Sequence, residues 1–130
     1  MVLFIDSNDV CRAAAAAAYH ESVTGVPAAH AGVFAEAGTV PNRMVLEAAQ
    51  QAGIELDGVT AVPVRAELLR MADCICAVTA AIAEHLRADY PDIAHKVCSI
   101  EIPDPFGLGK QAYADCMRAV CEQVEALVCG

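Results

Sequence analysis

Two residues in the first dozen have the chemistry of an anion site. Asp6 and Arg12 bracket Ser7-Asn8-Asp9-Val10-Cys11, an Asp-x5-Arg spacing. A guanidinium presents several N–H donors in a planar fork suited to oxyanions, and a carboxylate at the other end can act as nucleophile, base or competitor for that fork. Asp104 lies in a second stretch, Ile102-Pro103-Asp104-Pro105-Phe106-Gly107, and adds another ionisable carboxylate.

Both stretches need elements to hold them. Val2–Ile5 is an uninterrupted apolar run, the pattern of a strand buried on both faces of a parallel sheet. Arg12 and six consecutive alanines open a helix running to about Val23 and closed by Thr24-Gly25 and Pro27. The free N–H groups of its first turn, with the positive end of the helix dipole, would point into the 6–10 loop. A second strand is expected over Ala28–Val33 and a helix over Pro41–Ala52, with Thr39 or Val40 before it and Gly53 at its stop. After a loop at 54–64 come a short helix Arg65–Met71, a strand Asp73–Val78 and a helix Ala80–Ala88. A strand Val97–Ile100 and a last helix Lys110–Val128 complete the chain, the latter with Tyr113, Met117, Val120, Val124 and Leu127 recurring at threes and fours. The alternation predicts an α/β three-layer fold, a four-stranded parallel sheet with helices on both faces. Ligands in such sheets sit at the carboxyl ends of strands, so the 6–12 and 101–107 loops can share one pocket.

The loop and the Asp-Pro stretch together resemble the low molecular weight protein tyrosine phosphatases, whose loop pattern is Cys-x5-Arg and whose second signature is an Asp-Pro loop before the final helix. The resemblance covers the whole chain and implies a single domain over 1–130. In that family the thiolate attacks phosphorus, loop amides and the arginine hold the oxygens, the Asp-Pro aspartate protonates the leaving group, and no metal or other cofactor is used. Carried over, Arg12 matches the clamping arginine, Asp104 the general acid, and Cys11 the second cysteine, which lies behind the phosphate site. Four positions depart. Asp6 replaces the nucleophile, Asn8 a glycine, Asp9 the asparagine that braces the loop, and Ala13 a serine that supports the thiolate; His30-Ala31-Gly32 stands where Ser-Ala-Gly is usual.

The departures bear on activity because two of them put carboxylates into a loop built for a dianion. At about 4 Å and an effective dielectric near 20, a phosphate dianion and one carboxylate repel by roughly 8 kcal/mol, similar to the attraction of one arginine. The resemblance and its departures therefore imply a pseudophosphatase acting as a binding or regulatory module. The alternative is an active phosphomonoesterase acting on phosphotyrosine or phosphoarginine, or using magnesium-assisted Asp6 chemistry. An apolar strand ending in Asp also begins the haloacid-dehalogenase-type phosphatases, but these require Asp-x-Asp, and Asp6 and Asp9 are three apart. An arsenate reductase of the same fold needs a loop cysteine nucleophile and a further cysteine pair beyond the third strand, which are missing here. Cys11 is not expected to substitute as nucleophile, since the sixth residue beyond it is Ala17. Two structural expectations follow: Arg12 pairs with Asp6 and closes the loop, and Asn8 takes the positive φ that glycine would supply.

Composition sets the remaining bounds. At 130 residues, 57% hydrophobic and with mean hydropathy +0.44, the chain can bury a sizeable core. A net charge of −9 and a pI near 4.6 speak against nucleic acid, and a phosphorylated or otherwise charge-complementary protein is the expected partner. No run is long enough to span a membrane and no basic leader is visible, so a cytoplasmic protein is expected. Seven cysteines without zinc-type spacing fit reduced thiols, and Cys74 and Cys76, on one face of a strand, read as small core residues. His30 reads as structural.

Overall fold

The computed structural model describes residues 1–129. Four parallel strands, β1 (Val2–Asp6), β2 (Ala28–Gly32), β3 (Cys74–Ala77) and β4 (Val97–Ser99), lie in the order β2-β1-β3-β4. Five α-helices connect or follow them: α1 (Arg12–Thr24), α2 (Arg43–Gln51), α3 (Ala66–Met71), α4 (Ala80–Asp89) and α5 (Lys110–Cys129). The chain leaves β1 for β2 on one side and reaches β3 on the other. The carboxyl end of β1 is thus a topological switch point, where α/β sheets form their clefts.

Consecutive strand residues point to opposite faces, and Leu3, Phe4 and Ile5 are all fully buried, as are Ile75, Cys76 and Ala77. Both faces of the central pair are therefore covered. Each large apolar side chain buried this way contributes about 1.5–3 kcal/mol, which fixes β1 in the middle of the sheet and Asp6 at its end. Register places Phe4 opposite His30 and Cys76, and Asp6 opposite Gly32.

Alanines 13–17 are buried, and their small side chains let α1 pack closely along α5. Gly25 ends α1 at φ 71°, its N–H returning to the Glu21 carbonyl. Helix α2 starts at Arg43, later than expected from Pro41, because Asn42 rather than Thr39 or Val40 supplies the cap: its side chain accepts the Val45 N–H at 3.0 Å. Thr79 caps α4 in the same way through Ile82. A 3-10 helix, Pro91–Lys96, joins α4 to β4 with no counterpart in the expected elements. No helix among the described residues is long and apolar enough to cross a membrane.

Candidate functional site

Asp6 ends β1 with its carboxylate turned into the loop that follows. One oxygen accepts the Asp9 N–H at 2.6 Å and the other the Ala13 N–H at 2.9 Å. The loop therefore wraps its amides around its own first side chain. Asp6 is 2% exposed, and burial, opposed by the Ala13 N–H and reinforced by the charge of Asp9, pushes its pKa up to about 6. Near neutral pH this position holds a carboxylate that can also be protonated.

The expected pairing of Arg12 with Asp6 is absent among the described residues. Arg12 is buried and reaches across to the second loop instead, donating from Nη1 to the Ile102 carbonyl at 3.1 Å, with Nη2 3.8 Å from the Asp104 carboxylate. The reason is local: the Asp9 N–H in the loop and the Ala13 N–H in the first turn of α1 occupy both Asp6 oxygens, leaving the guanidinium to the Ile102 carbonyl beyond β4. Asp104 is half-exposed and its carboxylate also accepts the Phe106 N–H at 3.1 Å.

The positive φ also falls elsewhere than expected. It is at Asp9, φ 56°, not Asn8. Asp9 is fully buried and turned away from Arg12: Nδ1 of His30 lies 2.8 and 2.7 Å from its two oxygens, and the Val62 N–H reaches it at 2.8 Å. The hydrogen bond to Asp9, partly offset by burial, holds the His30 pKa above its ordinary value. Both Asp9 oxygens are thus engaged by His30, whose protonated form they favour, while the Asp6 carboxylate faces the cavity. His30 was legible as structural, but its partner was not; the signal was that Asp9 and His30 stand together at two positions where the family has asparagine and serine.

The loop is clamped from below by backbone. Val33 N–H donates to the Asp6 carbonyl at 3.0 Å and Phe34 N–H to that of Ser7 at 2.7 Å. A Cβ at Gly32 would come within 2.7 Å of the Ser7 carbonyl oxygen and 2.8 Å of the Asp9 nitrogen, so only glycine fits under the loop.

Above these residues is a cavity of about 130 Å³. It brings together Asp6, Asn8, Asp9, Val10, Cys11, Arg12 and Asp104, while Ser7 does not line it. Pro105 and Phe106 of the second loop line it as well, and Asn42, Val45 and Tyr113, which carried no site signal in the sequence, complete its wall. Phe106 is largely exposed on the rim.

A parallel sheet with a self-wrapped loop and a buried arginine at its switch point defines an α/β protein with a candidate pocket at the carboxyl end of β1. The family described as low molecular weight phosphotyrosine protein phosphatase matches residues 1–129, and the chain belongs to that family. Solved structures agree on the fold. The tyrosine phosphatase Wzb from Escherichia coli K30, in complex with sulphate, superposes with a TM-score of 0.91 at 19% identity, covering 97% of this chain and 94% of that one. The YwlE arginine phosphatase from Geobacillus stearothermophilus gives 0.88 at 23%, covering 97% and 88%. A low molecular weight protein tyrosine phosphatase from T. tengcongensis gives 0.89 at 24%, covering 98% and 96%. Among curated proteins no sequence matches.

Proposed function

We propose that this chain is a pseudophosphatase: a member of the low molecular weight phosphatase family that has exchanged catalysis for binding or regulation. The observation that carries the reading is the Asp6 carboxylate, which stands in the nucleophile's position and takes the Asp9 and Ala13 amides for itself. An incoming phosphate must either displace a side chain from those donors or bind without them. The remaining attraction comes from Arg12, and Asp104 shares it. The Asp9–His30 contact supports the loop in its folded path.

Magnesium-assisted attack by Asp6 is the second reading, and the same contacts argue against it. A divalent cation would need carboxylate oxygens beside Asp6, and those of Asp9 are already held by His30 and the Val62 N–H. The solved neighbours are described as tyrosine and arginine phosphatases, so a phosphorylated protein is the partner class this reading takes, in a reducing cytoplasm that suits seven free thiols. Calorimetric titration with inorganic phosphate tests the occlusion. The wild-type protein should bind at least about tenfold more weakly than Asp6→Ala, the consequence of lifting a repulsion larger than 1.4 kcal/mol. Equal affinity would show that Asp6 does not block the loop.

A further inference from the structure

Two thiols that the loop does not use lie beside it. Cys11, the residue before Arg12, has its Sγ 4.0 Å from that of Cys116 on α5, and both are buried. Each nevertheless opens onto the surface from a different side. Cys11 lines the loop cavity, and Cys116 lines a neighbouring hollow with Pro103, Leu108 and Ala112; Asp104 and Pro105 form the wall common to both. We propose that Cys11 and Cys116 are a reversible thiol–disulfide site that ties the loop to the last helix when the protein meets a peroxide.

The geometry favours this pair. A disulfide needs the sulfurs about 2 Å closer than they stand, a gap that side-chain rotation can close where the backbone is not pinned. Cys11 is only partly held: its φ of −150° and ψ of −81° lie outside helix and ladder and its side chain makes no capping bond, while its carbonyl accepts the Ala15 N–H at 3.0 Å. Around it α1 presents buried alanines to α5, so little side-chain bulk resists the adjustment. The other close thiols, Cys74 and Cys98 at 3.9 Å, sit on neighbouring strands two positions out of register, since the ladder sets Cys98 opposite Cys76. Bridging them would require the strands to slide.

Within the pair the thiolate is favoured at Cys116. The hydrogen bond from Cys11 and, more weakly, the charge of Arg12 hold its pKa down against the effect of burial, while the same contact pushes Cys11 up. The Cys116 thiolate attacks one oxygen of hydrogen peroxide, becoming a sulfenic acid and releasing hydroxide. The Cys11 sulfur then attacks that sulfur, gives up its proton and expels the hydroxyl as water. In sum, two thiols and one peroxide yield one disulfide and two waters. A dithiol reductant reverses it by exchange.

Intact-mass measurement and peptide mapping after treatment with hydrogen peroxide test the proposal. The expected result is a loss of about 2 Da, restored by dithiothreitol, with one cross-linked peptide joining Cys11 to Cys116. Cys116→Ser should abolish that cross-link, and a Cys74→Ser/Cys98→Ser variant should keep it. A cross-link that maps to Cys74 and Cys98, sulfinic acid at Cys116 without any cross-link, or a protein left fully reduced would overturn it.

Discussion

Both oxygens of the Asp9 carboxylate lie against Nδ1 of His30, at 2.8 and 2.7 Å, joining a left-handed loop residue to the neighbouring strand. By resemblance the family has asparagine and serine at these two positions, and here a carboxylate and a histidine stand there in contact. His30→Ala would leave Asp9 buried with only the Val62 N–H, which should cost about 2–3 kcal/mol in denaturant unfolding. An Asp9→Asn/His30→Ser double variant should recover at least about 1 kcal/mol relative to the sum of the single changes. Strict additivity would show that the two side chains do not act together.

The same pair and Asp6 both set a pH dependence, in separate windows. Because the Asp6 pKa is raised, from 3.8 to about 6, the folded state binds its proton more tightly than the unfolded chain. Stability should therefore be highest at the acid end of this window and fall as pH rises through it, by about 3 kcal/mol from this group alone. The His30 contribution, also from a raised pKa, is complete below 6.5 and is lost as pH climbs through the higher folded value. Unfolding midpoints measured between pH 4 and 7 should decline in the wild type and flatten in Asp6→Asn. A wild-type profile that rises across pH 4–6 would contradict the buried, protonatable Asp6.

Placing a thiol at position 6 is a sharper probe of the proposed pseudophosphatase. Arg12, the folded loop and Asp104 are all in place, so Asp6→Cys should hydrolyse an aryl phosphate where the parent does not. Adding Arg12→Ala to that variant should lower kcat by about 10²–10³-fold, the effect of losing one preorganised stabiliser of developing charge. No turnover by Asp6→Cys would mean that Asn8 or Ala13 also disables the loop.

The elements of this fold were readable because their signals are local. Val2–Ile5 is apolar without interruption, and a strand with both faces buried asks for that. Pro41 suggested a helix start two residues early, since Asn42 is an equally good cap and its bond to Val45 is decided only by where the chain enters the helix. Pro91–Lys96 carries no apolar period from which a 3-10 turn could be read. Arg12 and Asp104 were singled out by the resemblance, and both line the cavity. Their partners were not, because they depend on which way each side chain turns once the loop has closed. Asp6 and Arg12 are opposite charges in one loop, yet the amides of Asp9 and Ala13 lie nearer the carboxylate. Asp9 and His30 meet only through the β1–β2 register.

The central claim is the loss of catalysis through Asp6, and hydrolysis of an aryl phosphate, followed with and without magnesium, tests it most directly. The wild-type protein should show no turnover above the uncatalysed rate in either condition, and Asp6→Ala should behave identically. Turnover by the wild type that vanishes in Asp6→Ala would contradict the account, and dependence of that turnover on magnesium would identify the carboxylate as its nucleophile.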